Sequence, residues 1–179
     1  MNATRFQRSR EGWTLVELLV VIAILSLIVG ILLPTIGFVR NRAKRIDCQS
    51  RLRQIGLAME SYLASDEGRD RYPFAASLPS ATPDKPSIAD VLKPYAGNSA
   101  ALFACPVDTE YFGVEGVSYE YRALRFEGKT RAEVLNRLSG QARTSSTEWM
   151  MFDFDPFHGA PFQAGSRNVL FADGHVDEF

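Results

Sequence analysis

Charge of one sign is what this sequence has little of. Its 20 Lys and Arg nearly balance 21 Asp and Glu, for a net charge of −1 over 179 residues. No uniformly basic surface follows from such a balance, and bulk nucleic-acid binding is not expected. Catalytic signatures are missing as well: the chain has no HExxH, CxxC, P-loop or Gly-x-Ser-x-Gly. An ordinary secretory signal joins an apolar core of about 7 to 15 residues to a small-residue cleavage site. Here the amino-terminal apolar run is longer and no such site follows it.

That run lacks charge almost entirely. From Trp13 to Leu33 there are 21 residues with one ionisable side chain, Glu17. At about 1.5 Å of rise per residue they span roughly 31 Å as a helix, the thickness of a bilayer's hydrocarbon core. A soluble amphipathic helix would show a polar face, which this stretch does not have. The competing reading is an unusually long buried core helix. A carboxylate inside an apolar helix costs about 2.5 to 3.5 kcal/mol near the bilayer centre, so Glu17 is expected to have a partner, or else to be protonated or reach the headgroups.

Gly12 closes a polar leader, MNATRFQRSREG, and Glu17 is the fifth residue after it. This arrangement closely resembles the prepilin class III signal of type IV pilins and type II secretion pseudopilins. The resemblance implies cleavage between Gly12 and Trp13 by a prepilin peptidase and methyltransferase, with methylation of Trp13. It implies that Glu17 serves assembly, either by pairing with its own new amino terminus or by setting register against that of an adjacent subunit. Pro34 stands where many such chains have a helix-bending proline. Trp13 replaces the usual Phe, and both are large aromatics suited to a membrane interface.

The charge count opposes the orientation this implies. Arg5, Arg8 and Arg10 precede the span, whereas Arg40, Arg42, Lys44, Arg45, Arg51 and Arg53 follow it. The positive-inside rule alone would put the amino terminus outside. The cleavage motif is the more specific signal and places it in the cytoplasm. The later basic residues then need anionic headgroups or neighbouring subunits.

Beyond Pro34 the helical spacing resumes at Ile36, Val39, Ala43 and Ile46, and again at Leu52, Ile55, Met59 and Tyr62. One helix is predicted from about Trp13 to Ala64, bent at Pro34. The stretch containing Cys48, Leu52, Gln54, Ile55, Gly56, Leu57 and Ala58 is similar to the post-anchor helix of pseudopilin-like proteins. Gly56 costs about 1 kcal/mol in a helix relative to Ala, which a closely approaching head strand would explain. Ser65 to Pro86, with four prolines, reads as loop. Ser87 with Asp90 and Thr130 with Glu133 are capping-box signals, opening helices to about Tyr95 and Leu138.

Cys105, Pro106 and Asp108 followed by Ser118 and Tyr119 resemble a segment of the prepilin-type processing-associated proteins. Two cysteines in an exported head allow a Cys48 to Cys105 disulfide, worth about 3 to 4 kcal/mol in the chain-entropy model, or two separate buried thiols. Strands are predicted over 147–154, 168–172 and 175–179, the last two joined by a two-residue hairpin turn at Asp173 and Gly174. The string from Arg167 to Val176 resembles the end of the same family, whose signature is a His, nine residues, then Asp-Gly. Here Gln163 occupies the His position, and His158 lies five residues earlier.

Asp153, Asp155, His158, Asp173, His175 and Asp177 cluster by sequence. They could be solvated strand ends, a calcium site of hard oxygen ligands, or acid-base groups. No cofactor is required, and calcium is the metal version the resemblance favours.

The resulting expectation is an α+β, pilin-like chain and not an enzyme: a leader over 1–12, a transmembrane assembly helix over 13–34, its amphipathic continuation over 35–64, and a periplasmic head over 65–179 with a small antiparallel sheet. The expected function is a filament subunit held in the bacterial inner membrane by lipid. The resemblance implies as partners the prepilin peptidase, copies of itself and other pilins, an assembly platform and an ATPase. A type II secretion pseudopilus comes first, a type IV pilus for adhesion, motility or DNA uptake second, and a membrane-tethered ectodomain that never polymerises third.

Overall fold

The computed structural model describes residues 13–135 and 144–179. One helix, α1, runs over Leu15–Ala64. The chain divides into two compact units, Met1–Arg40 and Asn41–Phe179.

In the first unit every described side chain from Trp13 to Leu33 is exposed. Leu15 is 80% exposed and Ile31 64%, so no described residue of this unit covers its apolar surface. The window is long and apolar enough to cross a membrane, with mean hydropathy 3.0. Helix α1 continues through Pro34. An interior proline removes the bond to the carbonyl four residues earlier, the physical basis for the expected bend.

In the second unit burial begins at Cys48 and follows the helical period through Leu52, Ile55, Met59 and Leu63. The earlier apolar positions are different: Ile46 is 54% exposed. Matching spacing in the two sets therefore does not mean matching burial, because only the later set has a sheet to pack on. That sheet has four antiparallel strands in the order β1-β2-β3-β4: β1, Tyr119–Tyr121; β2, Trp149–Asp153; β3, Asn168–Phe171; and β4, Val176–Glu178. Tyr121 pairs with Met151 and Met151 with Leu170, and all three are fully buried. A bulge lies between Trp149 and Met151. Long helix and small antiparallel sheet together make the α+β layout that the resemblance implies.

A turn forms at Asp173 and Gly174, but with three loop residues rather than the expected two: Leu170 pairs with Val176 and Phe171 bonds His175, which leaves Ala172, Asp173 and Gly174 in the loop. Gly174 has φ +86°, and Phe171 donates its N–H to the carbonyl of His175 at 2.9 Å. Helix α1 reaches this hairpin at Gly56. A Cβ there would stand 3.1 Å from Leu170 Cδ1 and 3.5 Å from Gly174 Cα, the close approach expected from a glycine in mid-helix.

The short helices are α2, Ile88–Leu92; α3, Tyr111–Glu115; α4, Ala123–Phe126; and α5, Arg131–Leu135. Helix α2 ends earlier than expected and passes into a 3-10 turn over Lys93–Tyr95, with Pro94 in its first turn. Ser87 caps α2 by accepting from Ala89 N at 3.2 Å, rather than through the box predicted with Asp90. The box at α5 does form: Thr130 N donates to Glu133 at 2.7 Å and Glu133 N to Thr130 Oγ1 at 3.2 Å. The expected end of that helix near Leu138 lies outside the described residues.

Strand β1 has no counterpart in the sequence expectations. Its three residues are too few to show a period, and they are extended because β2 pairs with them.

Candidate functional site

At the amino-terminal end of α1, Thr14 and Glu17 form a reciprocal capping box. Thr14 donates to Glu17 Oε2 from its backbone N–H at 2.9 Å and from its hydroxyl at 2.8 Å. Glu17 N returns a bond to Thr14 Oγ1 at 3.2 Å. The partner Glu17 needs is Thr14, which the expectations from sequence did not include. The spacing Thr-x-x-Glu immediately before an apolar run was the available signal. Among the described residues these bonds all use Oε2, which leaves Oε1 for a further donor. Gly12, the predicted cleavage residue, lies outside the described residues, and Trp13 is 75% exposed.

Four chemistry-bearing residues distant in sequence meet in the head. The ligand atoms of Cys48, Cys105, Asp153 and His158 all lie within 4.8 Å of one another. Cys48 comes from α1, Asp153 ends β2, and Cys105 and His158 come from loops. Both cysteines are free thiols and buried, so the proximity a disulfide would need is present while the sulfurs stand as thiols. Cys48 Sγ lies 3.3 Å from the Tyr119 hydroxyl and 3.4 Å from Asp153 Oδ1. His158 Nε2 lies 3.6 Å from Cys105 Sγ and 3.4 Å from Asp153 Oδ2.

The electrostatics of this cluster follow from burial and mutual contact. Hydrogen bonding with Cys48 pulls the Cys105 thiol down to about 5, with His158 adding to the effect. The same interaction, with burial, pushes Cys48 up. Burial raises the Asp153 carboxyl to about 7 against a hydrogen bond from the Asn168 backbone.

The residues around Cys105 account for the Cys-Pro-x-Asp and Ser-Tyr pattern. Ser118 Oγ accepts from Cys105 N at 2.9 Å and donates to Asp108 Oδ2 at 2.5 Å. Asp108 in turn accepts from the first-turn amides Tyr111 N and Phe112 N of α3. Tyr119, next to Ser118, reaches Cys48. One short polar chain thus fixes the loop that presents Cys105.

Of the six acidic and histidine residues grouped near the carboxy terminus, the structure brings Asp153 and His158 together. Asp173 and His175 instead pair with each other at 2.5 Å at the exposed hairpin turn. Three of the basic residues after the span, Arg42, Arg45 and Arg51, have partners within the second unit. Arg45 reaches Glu178 at 3.2 Å and the His158 carbonyl at 2.6 Å. Arg51 binds Asp47 and the carbonyls of Ala101 and Ala104. Part of the positive charge that seemed to oppose translocation therefore stabilises the head.

Residues 7–33 match the family model described as the prokaryotic N-terminal methylation motif. The chain is also similar to the type IV major pilin protein PilA of Myxococcus xanthus (strain DK1622), 29% identical over 72 residues. That alignment covers 40% of this chain and 31% of the relative, so the chain spans about a third of the length of the curated protein it matches. No solved structure matches it.

Proposed function

We propose that this type IV pilin-like chain, a structural subunit and not an enzyme, works as a pseudopilin: processed at Gly12, held in the inner membrane by α1, and polymerised to drive type II secretion. The observation that carries the reading is the continuity of the methylation motif over 7–33 with an apolar helix whose side chains are all exposed from Trp13 to Leu33.

Cleavage before Trp13 leaves the whole apolar run in the mature chain. In the bilayer its side chains meet lipid tails, and in a filament they meet the same segment of neighbouring subunits. Either way they stay out of water, so a subunit moves from membrane to filament without paying for apolar exposure. The amine created at Trp13 brings a positive charge into an apolar region, and Oε1 of Glu17 is the nearby acceptor suited to it. The platform protein and ATPase supply the work of extraction, and the head remains periplasmic. A type IV pilus is the second reading, favoured by the name of the M. xanthus relative.

Mass spectrometry of the amino-terminal peptide, from protein purified out of native membranes, tests the processing step. The expected peptide begins at N-methylated Trp13. A chain beginning at Met1 in cells with active peptidase would overturn the filament reading and favour a tethered ectodomain. Deleting the gene separates the two filaments: loss of exported proteins from the medium supports the pseudopilus, and loss of surface fibres with secretion intact supports the pilus.

A further inference from the structure

We propose that Cys48, Cys105, Asp153 and His158 bind one zinc ion in tetrahedral geometry and so fasten α1 to the head. Four ligands of three types in a closed set, two sulfurs, one imidazole nitrogen and one carboxylate oxygen, suit structural zinc. Calcium would require six or more oxygens, and this cluster offers a single carboxylate.

The distances agree with an ion at the centre. Zinc bond lengths of about 2.0 to 2.3 Å imply tetrahedral edges of about 3.3 to 3.8 Å between ligand atoms. The edges here are 3.6 Å for Cys105 Sγ to His158 Nε2 and 3.4 Å for Cys48 Sγ to Asp153 Oδ1, while His158 Nε2 lies 3.4 Å from the other carboxylate oxygen, Asp153 Oδ2. Both edges fit atoms that share a metal, and the 3.4 Å from His158 Nε2 to Asp153 Oδ2 is long for a nitrogen-to-oxygen hydrogen bond.

Burial adds a second argument. The side chains of His158 and Asp153 are 2% and 0% exposed, and Cys48 and Cys105 are 0% and 2% exposed. Thiols, imidazole and carboxylate packed together away from water are costly unless something compensates them. A divalent ion balances two thiolates, and its binding requires Cys48 to give up its thiol proton to solvent. A disulfide would consume the sulfurs and give the buried Asp153 and His158 no task.

The surroundings are those of an oriented metal site. Asp153 Oδ2 accepts from Asn168 N at 2.7 Å and from Asn168 Nδ2 at 2.9 Å, which fixes the carboxylate and turns Oδ1 toward Cys48. Ser118 holds the Cys105 amide, Tyr119 stands against Cys48, and Arg45 grips the His158 carbonyl. The ion would join α1, a loop, a strand end and a second loop.

The full-length chain, purified in detergent from native membranes without reductant, is the material for the test. Expected are one zinc per chain by elemental mass spectrometry and an absorption fine structure with two sulfur and two lighter neighbours. Chelation followed by cobalt loading gives the visible bands of tetrahedral cobalt and a thiolate charge-transfer band. Cys105→Ser abolishes those bands. Asn168→Ala keeps the four ligands and weakens zinc binding by about 10- to 100-fold, which separates ligation from a general failure to fold. A metal-free chain, whether with a Cys48 to Cys105 disulfide or with two free thiols, would overturn the proposal. So would zinc retained undiminished by the Cys48→Ser, Cys105→Ser double variant. The start of the chain at Trp13 is read from the same preparation, so the filament reading stands or falls separately.

Discussion

Glu17 Oε2 accepts from both the backbone N–H and the hydroxyl of Thr14, at 2.9 and 2.8 Å. The carboxylate that an apolar helix would otherwise leave stranded is thereby bound within its own first turn. Removing a Thr cap costs about 1 kcal/mol. For Thr14→Val we expect amide exchange in the first turn of α1 to rise about fivefold in detergent. Processing at Trp13 should persist in the same variant, as read by intact mass, because the box lies beyond the cut. Unchanged exchange would mean that the cap contributes nothing there.

Gly56 and Leu170 set a second prediction. Ala at 56 gains about 1 kcal/mol of helix propensity, but its Cβ would press on Leu170 Cδ1 at 3.1 Å. The two effects are expected to offset within about 1 kcal/mol. With Leu170→Ala in the background the pressure is gone, and Gly56→Ala becomes stabilising by about 1 kcal/mol. Gly56→Val, which needs more room, is expected to destabilise by about 2 to 3 kcal/mol. Urea unfolding of the four variants measures the coupling.

Glu148 is 1% exposed, and its Oε1 accepts from Arg122 Nη1 at 3.0 Å and Arg125 Nε at 2.9 Å. Arg122 also lies over the Trp149 ring, 3.8 Å from its centroid, and Arg125 bonds the Val134 carbonyl. The network thereby connects α4, α5 and β2. Glu148→Ala removes the buried acceptor shared by two guanidinium groups that are 30% and 25% exposed, and a loss of about 1 to 3 kcal/mol is expected in denaturant unfolding. Arg122→Ala alone should cost less, since Arg125 still binds the carboxylate.

Burial pushes the Tyr72 hydroxyl up to about 12 from 10, with nearby Arg131 opposing it, and burial raises Tyr121 as well. The unfolded chain releases these protons near pH 10. Between pH 10 and 12 the folded chain therefore holds more protons than the unfolded one, and stability falls as pH rises. Denaturation midpoints measured across this interval should decline, and Tyr72→Phe should make the decline shallower. Tyrosinate absorbance titration of the folded chain should show Tyr72 ionising late.

How much of this was legible in the sequence depended on the range of each signal. The apolar run, the α5 box at Thr130 and Glu133, and the Asp-Gly hairpin are local patterns, and each formed where residue types alone placed it. Gly56 was legible as an anomaly, an unfavourable helix residue that only a close neighbour could justify. The Thr14 box is equally local, spelt by Thr-x-x-Glu directly before the apolar run.

Sequence by itself determined that one apolar helix leads a small α+β chain, because a bilayer-length run lacking charge and a periodic continuation need no knowledge of distant residues. Only the tertiary structure decided which cysteine-, histidine- and aspartate-bearing segments meet. Cys48, Cys105, Asp153 and His158 come together because helix, loop and strand pack on one core. The same packing left Asp173 and His175 at an exposed turn and made a strand of Tyr119–Tyr121. Such contacts depend on the order in which strands pair and on where loops return, and no short-range pattern in the chain encodes either.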